Sequence, residues 1–325
     1  MMQANGAYNA PGWLPGGHAQ TIYPFLARRP EVTYTRQRID TPDGDFIDFD
    51  WLATDKTHRD APLVVLFHGL EGNSGSHYAH ALMAHLASLG WRGVVPHFRG
   101  CSGEANRRPR AYHSGDYSEV GWMLHMLRKL SPDGPLFAVG VSLGGSALLN
   151  WLGREEHRAS DVVTAAAAVS TPLDLAAAGI AIEQGLNRIY SLHFRATLVP
   201  KALAMARRFP GALDAAAIGR VDSMYTFDDV VTAPLHGFSG TNDYWKRASS
   251  KPWLRAVTVP TLVLNARNDP FVPAASLPTR AEASPAITLE QPDGGGHGGF
   301  PHPGPRSRLA WLPQRLIAFF SRELG

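Results

Sequence analysis

The sequence predicts an α/β fold: a mostly parallel eight-stranded sheet flanked by helices, with a helical insertion. Three observations predict it. Short apolar or β-branched runs alternate along the chain with stretches of helical periodicity, the order that builds a parallel sheet covered by helices. Three of these runs, "PLVVLFH" (62–68), "PLFAVGV" (135–141) and "TLVLNA" (261–266), are almost wholly apolar, as strands buried on both faces must be. Between two runs of the sheet, residues 172–255 offer helix-compatible sequence and no convincing strand.

Taken in order, the elements are these. "EVTYTRQRI" (31–39) and "FIDFDWL" (46–52) read as strands joined by the turn signal "DTPDGD", an antiparallel hairpin at one sheet edge. The run at 62–68 is the first buried strand. "HYAHALMAHLASLG" (77–90) is a helix closed by Gly90, which suits a C-cap. "RGVVPHF" (92–98) is a strand, and "GDYSEVGWMLHMLRKL" (115–130) a helix whose basic end the helix dipole favours. The strand at 135–141 runs into the helix "SLGGSALLNWLG", and "VTAAAAVS" (163–170) is the next strand. The insertion follows, with helical patterns in "LDLAAAGIAIEQGLNRI" and "KALAMARRF". Strands at 261–266 and 286–291 ("AITLEQ") complete the sheet. The last helix is about "RSRLAWLPQRLIAFFSREL", kinked or started late by Pro313. No internal repeat or Ser/Gly-rich linker divides the chain, so residues 1–325 are expected as one domain with its insertion at about 172–255.

The bulk numbers narrow the function classes. Of 325 residues, 44% are apolar and 18% charged, as in a folded globular chain that needs no disulfide or metal to hold its core. The sole cysteine, Cys101, leaves no internal disulfide and no cysteine-based zinc site. The N-terminal "MMQANGAYNAPGWLPGG" has neither the basic nor the apolar region of a signal peptide. The longest apolar-looking stretch, 164–182, is broken by Pro172 and Asp174, so no transmembrane segment is expected. A cytoplasmic location is the expectation. The net charge is only +3, and the arginines of "EANRRPR" (104–110) have no interleaved aromatic residues, which argues against nucleic-acid binding. The fourteen histidines show no HExxH or comparable spacing, so no metal and no cofactor is expected.

Chemistry concentrates in "FAVGVSLGGSALLNW" (137–151). Gly140-Val141-Ser142-Leu143-Gly144 fits GxSxG, between a buried strand and a helix, the setting of a nucleophile elbow. A serine hydroxyl needs a base, and the base an acid that fixes its tautomer. In this architecture they follow in the order Ser, Asp or Glu, His. Asp269 lies just past the strand 261–266, the sole carboxylate of "RNDPFVP"; Asp174 in "STPLDL" is its rival. His297 in "DGGGHGGF" follows the next strand, and the other histidine beyond Asp269, His302, sits between two prolines. Two N–H groups should hold a developing oxyanion: Leu143, next to the nucleophile, and Leu70, in the loop "HGLEGNSGS" after the first buried strand. His68 is expected to shape that loop. The glycines around His297 suggest a backbone bent sharply beside the elbow, so valine at Gly296 or Gly298 should remove most activity and spare the fold.

The segments "HGLEGNSGSHYAHAL", "PHFRGCSGEANRRPRAYHSGDY", "GVSLGGSALLNW", "FDDVVTAPLHGFSGTNDYWKRASS", "LNARNDPFVP" and "GGHGGF" together resemble the YheT-like branch of the α/β-hydrolase fold, from about Trp13 to the last helix. Eukaryotic α/β-hydrolase-domain lipases and some fungal medium-chain ester synthases are similar to that branch. The resemblance implies that Ser142, Asp269 and His297 form the charge-relay triad. Members often carry two acids before the proline where this chain has Asn268-Asp269, which favours Asp269. It also implies that Cys101 is a small loop residue and that His113 caps the next helix and holds its loop. Arg107, Arg108 and Arg110 are read as solvated, with the entrance of the site as their alternative place.

The lead expectation is a serine hydrolase of carboxylic esters whose small-molecule substrate has an apolar acyl chain, matched by an insertion rich in Ala, Leu, Ile and Phe. An acyltransferase that passes the acyl group to an alcohol keeps the same residues. A non-catalytic binding protein on this scaffold would be expected to have lost one of them.

Overall fold

The computed structural model describes residues 8–53, 58–302, 304 and 308–324. Met1–Ala7 of the stretch read for a leader, and Arg306 and Ser307 of the expected last helix, lie outside them.

The strands are β1 (Tyr34–Asp40), β2 (Phe46–Leu52), β3 (Leu63–Phe67), β4 (Arg92–Pro96), β5 (Leu136–Val141), β6 (Ala165–Val169), β7 (Thr261–Leu264) and β8 (Ile287–Glu290). They form one sheet in the order β1-β2-β4-β3-β5-β6-β7-β8. β1–β2 and β2–β4 pair antiparallel and all other neighbours parallel. The expected hairpin is therefore at the edge, held in register by Arg36 opposite Asp50 and Arg38 opposite Asp48, cross-strand charge pairs of the kind that stabilise a ladder.

The helices are α1 (Gly16–Leu26), α2 (His77–Leu89), α3 (Tyr117–Leu130), α4 (Leu143–Glu155), α5 (Leu175–Ala181), α6 (Arg188–Arg208), α7 (Ala215–Ile218), α8 (Met224–Phe227), α9 (Ala233–His236), α10 (Thr241–Ala248) and α11 (Trp311–Phe320). Side chains of β3 alternate between two cores. Leu63, Val65 and Phe67 pack with Met123 of α3 and Leu148 of α4. Val64 and Leu66 pack with Leu82 of α2 and Leu316 of α11. This two-sided burial explains why β3, β5 and β6 are apolar without alternation.

One detail differs from the sequence reading: α1 has no counterpart in it, and this helix starts on two glycines after Pro15, has no side-chain cap and contains Pro24. The last helix takes the late start rather than the kink: it begins at Trp311, which puts Pro313 in its first turn, where the missing N–H costs nothing. Between β6 and β7 the chain forms helices and one π-helical turn, Asp228–Thr232, with no strand among the described residues. No helix among the described residues is long and apolar enough to cross a membrane.

Candidate active site

Ser142 directly follows β5 and precedes α4, with φ 53° and ψ −119°. A non-glycine residue holds such a conformation only when its surroundings enforce it. Here they do. A Cβ on Gly144 would lie 2.4 Å from the Phe67 carbonyl oxygen, and one on Gly140 would lie 2.5 Å from that of Gly144. The strand and helix can meet this closely only through glycine. The Ser142 N–H donates to the Val169 carbonyl of β6 at 2.9 Å, which pins the elbow to the sheet.

Asp269 follows β7 and His297 follows β8, so both reach Ser142 from the C-terminal ends of neighbouring strands, where open α/β sheets gather their sites. His297 Nδ1 is 2.8 Å from Asp269 Oδ2 and Nε2 is 2.9 Å from Ser142 Oγ. The carboxylate can only accept, so it fixes the proton on Nδ1 and leaves Nε2 to accept from the serine hydroxyl. Asp269 is buried, and its other oxygen accepts the N–H groups of Phe271 (2.8 Å) and Val272 (3.3 Å). The Phe271 ring packs on the imidazole at a centroid distance of 4.2 Å.

The glycine-rich loop around His297 is tightly held. Four successive N–H groups donate to side-chain oxygens: Gly295 to Gln20 (2.7 Å), Gly296 to Asn268 (3.0 Å), His297 to Thr21 (2.9 Å) and Gly298 to Ser170 (2.8 Å). Gln20 and Thr21 belong to α1, whose backbone comes so close that a Cβ on Gly296 would lie 2.7 Å from the Thr21 nitrogen. Asn268 also donates to Gln20 Oε1 at 3.0 Å, a bond that an aspartate could not make.

The segment after β3 is held in a different pattern. The Gly69 N–H donates to the Tyr78 hydroxyl (2.9 Å) and the Glu71 N–H to the Tyr112 hydroxyl (2.7 Å). Among the described residues no acceptor is found for the Leu70 N–H between them, nor for that of Leu143. His68 is buried, and burial lowers its pKa to about 3. It donates from Nδ1 to the Gly69 carbonyl (2.8 Å) and accepts the Phe98 N–H on Nε2 (3.1 Å), so it shapes this segment as a neutral ring. Tyr78 and Tyr112 were not singled out from the sequence, because their roles arise from tertiary contact.

A sequence model for the alpha/beta hydrolase fold matches residues 62–301. YheT of Escherichia coli (strain K12) is 37% identical over 92% of this chain and 88% of its own. The chain belongs to the α/β hydrolase fold family. Within that family, the Homo sapiens phospholipase ABHD3 is 31% identical to this α/β hydrolase over 89% of this chain and 72% of its own. The solved structure of the Pyrococcus furiosus esterase Pf2001 superposes with a TM-score of 0.58 at 14% identity, covering 90% of this chain and 92% of that one, which is a likeness of fold.

Other residues singled out from the sequence lie elsewhere in this α/β hydrolase. Asp174 caps α5 through the Ala177 N–H at 3.0 Å, and His302 accepts the Gly304 N–H at 2.9 Å; neither is bonded to His297. His113 accepts the Gly115 N–H at 3.1 Å and so holds its loop, but the N-cap position of α3 is Asp116, a correction to the expected capping role. Cys101 is buried, and burial pushes its thiol up to about 12, far from a reactive thiolate. The arginines divide. Arg107 pairs with Asp40 and Arg110 with Asp116, while Arg108 is exposed with no carboxylate within ion-pair reach among the described residues.

Ser142 and His297 open into a cavity of about 170 Å³ whose walls include Leu70, Leu143, Leu175, Ile182, Phe194 and Phe227. The last four belong to the helical stretch between β6 and β7, and so does Asp228. Burial raises the Asp228 carboxyl to about 6, and the Thr232 hydroxyl and Trp245 N–H donate to it at 2.7 and 2.8 Å. A second cavity of about 720 Å³ lies on the other side of Tyr112.

Proposed function

We propose that this α/β hydrolase cleaves carboxylic esters with an apolar acyl chain, through a Ser142–His297–Asp269 triad and an acyl-enzyme on Ser142. The observation that carries the reading is the hydrogen-bonded run Asp269–His297–Ser142, at 2.8 and 2.9 Å, opening on an apolar cavity. His297 Nε2 takes the hydroxyl proton as Ser142 Oγ bonds to the ester carbonyl carbon. The oxyanion so formed accepts the N–H groups of Leu70 and Leu143, and each such donor contributes about 3 kcal/mol of transition-state stabilisation. Asp269 stabilises the imidazolium without taking its proton. As the tetrahedral intermediate collapses, the C–O bond to the alcohol breaks and His297 returns the proton to the departing oxygen. A water molecule, deprotonated by the same nitrogen, then releases the acid. The helices between β6 and β7 act as a cap that supplies the acyl pocket. The relationship to a phospholipase supports acyl esters as the substrate class.

The test is a panel of p-nitrophenyl esters of graded acyl length, run with wild type and Ser142→Ala, in water and with added ethanol. Hydrolysis that requires Ser142 and depends on chain length is expected. Ethyl ester in large excess over free acid would replace hydrolysis with acyl transfer to alcohols.

A further inference from the structure

The larger cavity shares Ala111, Tyr112, Leu198, Phe227 and Val231 with the Ser142 cavity but has a different lining. Arg36, Arg99, Arg108, Arg110, Lys201 and Arg208 face it, against the two carboxylates Glu71 and Glu104. Several of these charges are already matched. Arg36 pairs with Asp50, as does His97; Arg99 with Asp43, Asp45 and Glu119; Arg110 with Asp116; Lys201 with Glu71; and Glu104 with Arg38. Two guanidinium groups are left over. Arg108 has no ion pair among the described residues. Arg208, at the C-terminal end of α6, donates among the described residues to the Asn106 and Ala105 carbonyls, at 2.7 and 3.4 Å, and pairs with no carboxylate there. Arg110 Nε is also buried with no hydrogen-bond partner.

The cavity thus has more N–H donors and more positive charge than its own acids satisfy, and its volume far exceeds a single carboxylate. Phosphate oxygens match this surplus, because they accept several charge-assisted hydrogen bonds at once and suit the guanidinium fork. We infer that this second cavity is a binding site for a phosphate-type oxyanion, seated between Arg108 of the 104–110 loop and Arg208 of α6. Two sources can supply the oxyanion: the alcohol part of an ester whose acyl chain enters the neighbouring cavity, or a free phosphate compound.

Isothermal titration of the full-length protein with inorganic phosphate, against chloride at matched ionic strength, tests the site without relying on ester cleavage. Saturable binding is expected, weakened about tenfold or more by Arg108→Glu. Arg107→Glu is the control. It alters net charge equally, but Arg107 pairs with Asp40 and does not line the cavity, so binding should be unchanged. Melting temperatures of both variants report on the fold, and Arg208→Gln gives a second, independent route to the same loss. Paired esters of one acyl chain, on glycerol and on glycerol phosphate, then separate the two sources. A kcat/KM preference for the phosphorylated ester that Arg108→Glu abolishes assigns the oxyanion to the substrate, and phosphate binding with no such preference assigns a free phosphate compound. Absence of saturable phosphate binding, or equal weakening by Arg107→Glu and Arg108→Glu, overturns the site.

Discussion

Two backbone segments flank Ser142, and they are held by the same kind of bond in opposite patterns. In the loop around His297, each N–H from Gly295 to Gly298 is taken by a side-chain oxygen. In the segment after β3, the N–H groups of Gly69 and Glu71 are taken by tyrosine hydroxyls and the one between them has no acceptor among the described residues. Leu70 is half-buried on the wall of the Ser142 cavity, so its open N–H can be satisfied by whatever enters that cavity. The saturated loop holds a side chain in place; under the proposed chemistry the interrupted segment offers its backbone to the substrate. The proposed chemistry needs both, an oriented imidazole and a free donor.

Breaking the first pattern should have the largest effect. Gly296→Val places a side chain against the α1 backbone at φ 62°, so the loop must move and His297 with it. A loss of kcat on the order of 100-fold or more is expected, since small misplacements of catalytic groups are this costly, with little change in circular dichroism. Gly298 has φ 63° but room, with Val141 Cγ1 at 3.7 Å. Gly298→Val should cost only backbone strain of about 1–3 kcal/mol and a smaller share of activity. The structure thus separates two glycines that look equivalent in the sequence.

Next is the interrupted segment. Tyr112→Phe removes the acceptor of the Glu71 N–H and leaves the Leu70 donor less well aimed. A fall in kcat of about 10-fold is expected with KM nearly constant, because in the proposed chemistry only the transition state uses that donor. A change in KM alone would count against this role for the Leu70 N–H. Thr21→Val removes one of the four acceptors around His297 and leaves an amide unpartnered, at about 1–3 kcal/mol. Three bonds remain, so the loss of kcat should be smaller than in Gly296→Val. Both variants are read by steady-state kinetics on one p-nitrophenyl ester.

The smallest effect concerns pH. His77 Nε2 lies 3.1 Å from the Gly298 carbonyl, and burial lowers its pKa from 6.5 to about 4. The unfolded chain takes up this proton below about pH 6.5 and the folded chain does not until about 4. The stability contribution is therefore complete above 6.5 and is lost as pH falls through that window, by up to about 1.4 kcal/mol per pH unit. His77→Gln can keep the hydrogen bond and does not titrate. Urea midpoints between pH 7.5 and 4.5 should fall less steeply in the variant, with some slope remaining from His68 and His236, whose pKa values burial also lowers.

The parts legible in the sequence were local ones. The strand–glycine–serine–glycine–helix join at Ser142 is dictated within a few residues, and the buried strands show their burial in their composition. The order of Asp269 and His297 after successive strands followed from the sheet. What was hidden came from distance along the chain. α1 has no cap and contains a proline, so no local signal marks it, yet its Gln20 and Thr21 hold a loop some 275 residues away. Tyr78 and Tyr112 likewise look like ordinary aromatic residues until the fold brings their hydroxyls to the backbone after β3.

Covalent labelling with a fluorophosphonate probe reports whether Ser142 is an activated nucleophile. One label per folded chain is expected, located on the Ser142 peptide by mass spectrometry, absent in Ser142→Ala and greatly slowed in His297→Ala. Equal labelling of Ser142→Ala, or no labelling of the folded wild-type protein, would contradict it.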